Sequence, residues 1–97
     1  MLTAIVLRDD ELAGLSRHEQ LGLEFLLHDS LSEVARTRRS GDSALLLAIK
    51  AADYLAPLYD ELGDDDATHL LSEVAESELG RAALARAARV AAITDAA

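Results

Sequence analysis

An all-α fold, a small up-down bundle of three main helices with a short N-terminal arm or helix, is predicted by three observations on this 97-residue chain. Hydrophobic residues make up 51% of it but aromatic ones only 3%, so the core has to be built from Leu, Ala, Val and Ile, and Ala and Leu are strong helix formers. Helix punctuation recurs along the chain, in a capping-box tetrad at Ser16–Glu19, glycines at 41 and 63, and the acidic run Asp64, Asp65 and Asp66. Between these marks the apolar residues repeat with helical periodicity, which places helices at about 17–40, 43–62 and 67–93 within one domain spanning 1–97. Loops of two to four residues make neighbouring helices antiparallel.

The beginning of the chain is readable in two ways. Thr3 to Leu7 includes the β-branched pair Ile5 and Val6, which suits an extended arm, whereas Asp9 to Leu15 reads as a short helix. Ser16 then opens the first main helix, its hydroxyl accepting from the Glu19 amide while the Glu19 carboxylate reaches back. Arg36, Arg38 and Arg39 suit the negative end of that helix, and Gly41 is expected as its left-handed cap. Asp42 opens the second helix, which ends at Gly63. Pro57 inside it lacks an amide hydrogen and crowds the carbonyl of Asp53, so a kink or a restart is expected there, with water taking the freed carbonyl on the polar side. The three aspartates cap and charge the start of a third helix from about Ala67 to Ile93. Gly80 costs that helix about 1 kcal/mol relative to alanine. It also marks a change from an acidic segment with Glu73, Glu76 and Glu78 to an Ala-rich one with Arg81, Arg86 and Arg89. Leu31–Ala35 recurs as Leu71–Ala75, but the flanking residues do not align and we read common helix composition rather than a repeat.

The second helix carries too many apolar residues for one buried face. On a helical wheel eleven of its Leu, Ala, Ile and Tyr residues, from Leu47 round to Ile49, span an arc of about 200°, so it needs partners on two sides. The tail adds Ala83, Leu84, Ala87 and Ala91, a strip that suits close helix approach. A homodimer or higher assembly burying faces of the second and third helices is therefore expected, with Leu45, Ile49, Leu55, Tyr59 and Leu84 at the interface.

Charge and composition restrict the chemistry. With 18 Asp and Glu against 9 Lys and Arg, the net charge of -9 argues against nucleic acid or anionic membrane as partner and is compatible with a basic protein. There is no cysteine for a disulfide, a thiolate nucleophile or a sulfur-ligated metal. The apolar run Leu2–Leu7 is too short for a signal peptide core, and a cytoplasmic protein without a cofactor is expected.

Two histidine–glutamate pairs are the weak metal candidates. Glu24 and His28 are one turn apart within the apolar arc of the first helix, and His69 and Glu73 repeat the spacing on the polar side of the third. A partly buried, hydrogen-bonded His–Glu pair is the simpler account of the first; only a subunit interface could bring both pairs together. The stretch Tyr54–Leu84 resembles the closing helices of ferritin-like bundles without their Glu-x-x-His element, which implies, as an alternative, a metal protein with sites between subunits. The basic cluster of Arg36, Arg38 and Arg39 with Ser40 reads as helix-terminal charge. The acidic block Asp60–Glu78 reads as a solvated face or, more sharply, as the surface of an antitoxin or inhibitor that masks a basic partner. No phosphate loop, nucleophile elbow or triad is present, so an enzyme is not expected unless oligomerisation creates its site. The leading expectation is a non-enzymatic helical interaction or assembly protein, an adaptor, regulatory or structural subunit.

Overall fold

The computed structural model describes residues 1–38 and 41–96, with side chains described as far as residue 92. Among these the chain is all-α, with six helices and no strand: α1 Leu2–Val6, α2 Asp9–Ala13, α3 Arg17–Thr37, α4 Gly41–Leu62, α5 Asp64–Glu76 and α6 Glu78–Ala96. Four are long, where three main helices are expected from sequence. No described helix is long and apolar enough to cross a membrane.

α3 begins as its capping box dictates. Ser16 Oγ accepts from the Glu19 amide at 3.1 Å and the Glu19 carboxylate accepts from the Ser16 amide at 2.9 Å. α3 and α4 then pair antiparallel along their length: Arg17 bonds Glu61, Gly22 approaches Leu58 and the His28 ring meets Tyr54, so residue numbers rise on one helix as they fall on the other. Gly22 is buried where α4 and α5 meet α3, and a Cβ there would lie in van der Waals contact with Leu71 at 3.4 Å and Leu58 at 3.9 Å. The core gathers Val6, Leu7, Leu23, Leu27, Val74, Ala83 and Ala87 from α1, α3, α5 and α6 and the residue following α1.

Three expectations are corrected here. The N-terminal segment is helical rather than an extended arm, because the Glu24 carboxylate of α3 supplies α1 with the cap its own sequence lacks. Gly41 is the first residue of α4 and not a left-handed cap; α3 ends at Thr37 with Arg38 at φ -99°, and Gly63 is the described glycine with positive φ, at 84°. The expected helix over 67–93 is two helices. α5 starts at Asp64, since Gly63 takes the N-cap position and the aspartates occupy the first turn, where carboxylates meet the positive end of the helix.

Ser77 divides α5 from α6. With ψ at 153° it cannot continue a helix, and its hydroxyl serves both sides, donating to the Val74 carbonyl at 2.7 Å and accepting from the Gly80 amide at 3.0 Å. Pro57 causes no such break. α4 runs through it to Leu62 without restarting, and the carbonyl it leaves without an amide partner belongs to exposed Asp53, within reach of water. Arg39 and Ser40 of the basic cluster lie outside the described residues.

Candidate interaction surface

The two faces of α4 have opposite fates. Ala44, Ala51 and Leu58 recur every seven residues along its inner face and are buried against the rest of the chain. The outer face is left uncovered: Leu45 is 63% exposed, Leu46 58% and Ile49 51%, and Ala48, Ala52 and Ala56 beside them are exposed as well. Leu45, Ile49, Ala52 and Ala56 follow one another at intervals of four, three and four residues, the spacing of a seam that receives a second helix. Contiguous large apolar side chains of this kind mark interaction sites on soluble proteins.

The other expected interface residues sit nearer the chain's own packing. Leu55 and Tyr59 are half-buried, with the Tyr59 hydroxyl within 3.1 Å of Thr68 Oγ1 on α5. Leu84 is half-buried against the core cluster. Ala83 and Ala87, read from sequence as part of a strip for close helix approach, lie in the core, 0% and 3% exposed. A groove of about 300 Å³ runs between α1, α3, α4 and α6, lined by Ile5, Val34, Leu47 and Val90, with Arg38 donating to the Ala91 carbonyl at 3.3 Å at its rim.

Glu24 and His28 form the polar centre of the interior. The Glu24 carboxylate, 1% exposed, accepts from the amides of Leu2 at 3.2 Å and Thr3 at 3.0 Å and from the Thr3 hydroxyl at 2.5 Å. A buried carboxylate is costly unless donors surround it, and here two otherwise unpaired amides at the start of α1 supply them. His28 Nδ1 lies 2.8 Å from the Glu24 carbonyl, an acceptor, so this nitrogen carries the proton and donates. The same Nδ1 is 3.5 Å from the Glu24 carboxylate, and the ring meets Tyr54 at a centroid distance of 5.1 Å. Burial and the neighbouring Glu24 and Asp53 carboxylates push the Tyr54 phenol above its usual range.

His69 and Glu73 pair on the outside of α5, Nε2 to Oε1 at 2.9 Å with both side chains exposed. The chain therefore does not bring its two His–Glu pairs together, and no three His, Asp or Glu side chains among the described residues converge as a metal-binding group.

Two ion-pair clusters unseen in the sequence tie the helices to one another. Arg86 of α6 donates to the Val6 carbonyl at 3.0 Å and to Glu11 of α2 at 2.8 Å. This Arg86 contact, with the Arg8 amide beside it, holds the Glu11 carboxyl down at about 2. Glu61 near the end of α4 receives Arg17 and His18 from the start of α3, which keeps its carboxyl below the ordinary range. Their signal in the sequence was only a lone charge near each helix end. Comparison with protein-family models, curated proteins and solved structures gives no match for this chain.

Proposed function

We propose that this chain is a non-enzymatic helical interaction and assembly protein that works by self-association. The observation that carries this reading is the outer face of α4, where Leu45, Leu46 and Ile49 stand more than half exposed on a helix whose opposite face is fully used. Covering each of them is worth about 1–2 kcal/mol. Polar groups near the fold's interior have structural work to do: Glu24 caps α1, His28 braces α3 against α4, and Arg86 joins α6 to α2. The surface is accordingly where function resides. Its acidic block, from Asp60 to Glu78, gives the assembly a charged exterior suited to basic proteins.

Light scattering on the full chain at micromolar concentration tests this. A particle heavier than one chain supports it, provided that Ile49→Glu, an exposed and fold-neutral change, returns the particle to a single chain. A wild-type protein that stays monomeric at all concentrations refutes it.

A further inference from the structure

We infer that the outer face of α4 is covered by α6 of a second copy, in an antiparallel, head-to-tail contact. This rests on the self-association reading above and adds to it the identity of the partnering face.

Charge is the first argument. Along one edge of the α4 seam stand Asp42, Asp53 and Asp60, all exposed, with Lys50 further round the helix. The exposed face of α6 has the opposite sign, carrying Arg81 and Arg89 around Ala85, Ala88 and Ala92, with Glu78 at its first residue. Among the described residues Arg81 and Arg89 enter no salt bridge within the chain, and neither do Asp42, Asp53 and Asp60. Spacing agrees with sign. Asp53 and Asp60 are about 10 Å apart along their helix and Arg81 and Arg89 about 12 Å apart along theirs.

Orientation follows from the handedness of the helix. The Asp edge lies roughly 50–70° clockwise of the α4 seam viewed from the N-terminus, and Arg89 lies on the same rotational side of the α6 face. Two helices with their charged edges on the same rotational side bring those edges together only when they run antiparallel. Setting Asp53 against Arg89, with Arg81 on the α6 face itself near Asp60, then puts Ile49 opposite Ala92 and Ala56 opposite Ala85. The large Ile49 side chain of one copy thus meets a small one of the other, and the two alanines let the helices approach closely.

A second α4 fits the same face less well. Antiparallel, it aligns carboxylates with carboxylates along the shared edge; parallel, it stacks Leu45 and Ile49 on their own copies and leaves Ala52 and Ala56 facing each other, a wedge rather than a seam. Made head to tail, this contact is heterologous: in a pair one copy keeps its α6 face free and the other its α4 face, and assembly proceeds beyond a dimer, to a ring or a filament.

Complementary variants test this. Ile49→Glu removes the α4 face and Ala88→Glu removes the α6 face, and both positions are exposed. Each variant alone is expected to be monomeric by light scattering, whereas a one-to-one mixture forms a dimer from the two intact faces. Raising NaCl from about 50 to about 500 mM should weaken wild-type assembly several-fold, because the edges attract. A second arm uses charge: Arg89→Asp alone weakens assembly, and adding Asp53→Arg to the same chain restores it. The inference is overturned if Ala88→Glu assembles like the wild type, if the mixture stays monomeric, or if salt strengthens assembly, each of which leaves self-association itself standing. A monomeric wild type instead removes the reading on which it rests.

Discussion

Gly80 lies so close beneath the carbonyl of Val74 that a Cβ at its position would overlap that oxygen, inside any van der Waals contact. The elbow between α5 and α6 depends on this approach. The Ser77 hydroxyl, which bonds both the Val74 carbonyl and the Gly80 amide, would lie 2.9 Å from the same Cβ.

Gly80→Ala separates helix propensity from packing. Propensity alone favours alanine by about 1 kcal/mol. The bent junction has no room for it, and we expect a net loss of about 1–3 kcal/mol, as for other overpacked sites. Urea denaturation measures the difference; a stabilised variant would mean that α5 and α6 can merge into one straight helix without loss.

Glu24→Gln tests the cap on α1. The amide side chain brings a donor to a site already filled with donors, the amides of Leu2 and Thr3 and the Thr3 hydroxyl. Global stability should fall by about 1–3 kcal/mol. Hydrogen exchange at the amide of Thr3 should accelerate more than at core amides of α3. Equal acceleration in both places would show that α1 is not held separately by this carboxylate.

Acid should loosen the contact between α2 and α6. Glu11 has its carboxyl lowered from an ordinary 4.5 to about 2, chiefly by the Arg86 hydrogen bond. A carboxyl lowered in the folded state stabilises the fold fully above its unfolded value and loses that contribution as pH falls through the folded one. The stability difference between wild type and Glu11→Gln should therefore be constant from pH 6 to about pH 5 and shrink as pH falls from about 4.5 towards 2. A difference independent of pH would show that Arg86 does not stabilise the ionised carboxylate.

Local signals carried much of this architecture into the sequence. The Ser16–Glu19 box placed the start of α3 at the observed residue, and the apolar arc over 43–62 announced a helix with more greasy surface than one face can hide. Contacts between residues far apart in the chain were not legible. The helical form of α1 depends on Glu24, more than twenty residues away, and no property of Thr3 or Ile5 names that partner. Ser77 was missed as a boundary because its third following residue is Gly80 rather than the Glu or Gln of a capping box. The strip at Ala83 and Ala87 faces inward because α1 and α3 lie over it, a consequence of the elbow that a continuous helix would not have.

The interior pair Glu24 and His28 was visible as polar residues on an apolar arc, and its chemistry was not. Only the fold shows that the carboxylate is satisfied by backbone amides of α1.

The proposed self-association through α4 is tested most directly by multi-angle light scattering of the wild-type chain across a micromolar concentration series, alongside Ile49→Glu. The account predicts a mass above that of one chain that grows with concentration in the wild type and a single-chain mass in the variant at unchanged helicity. A single-chain mass for the wild type throughout the series contradicts it.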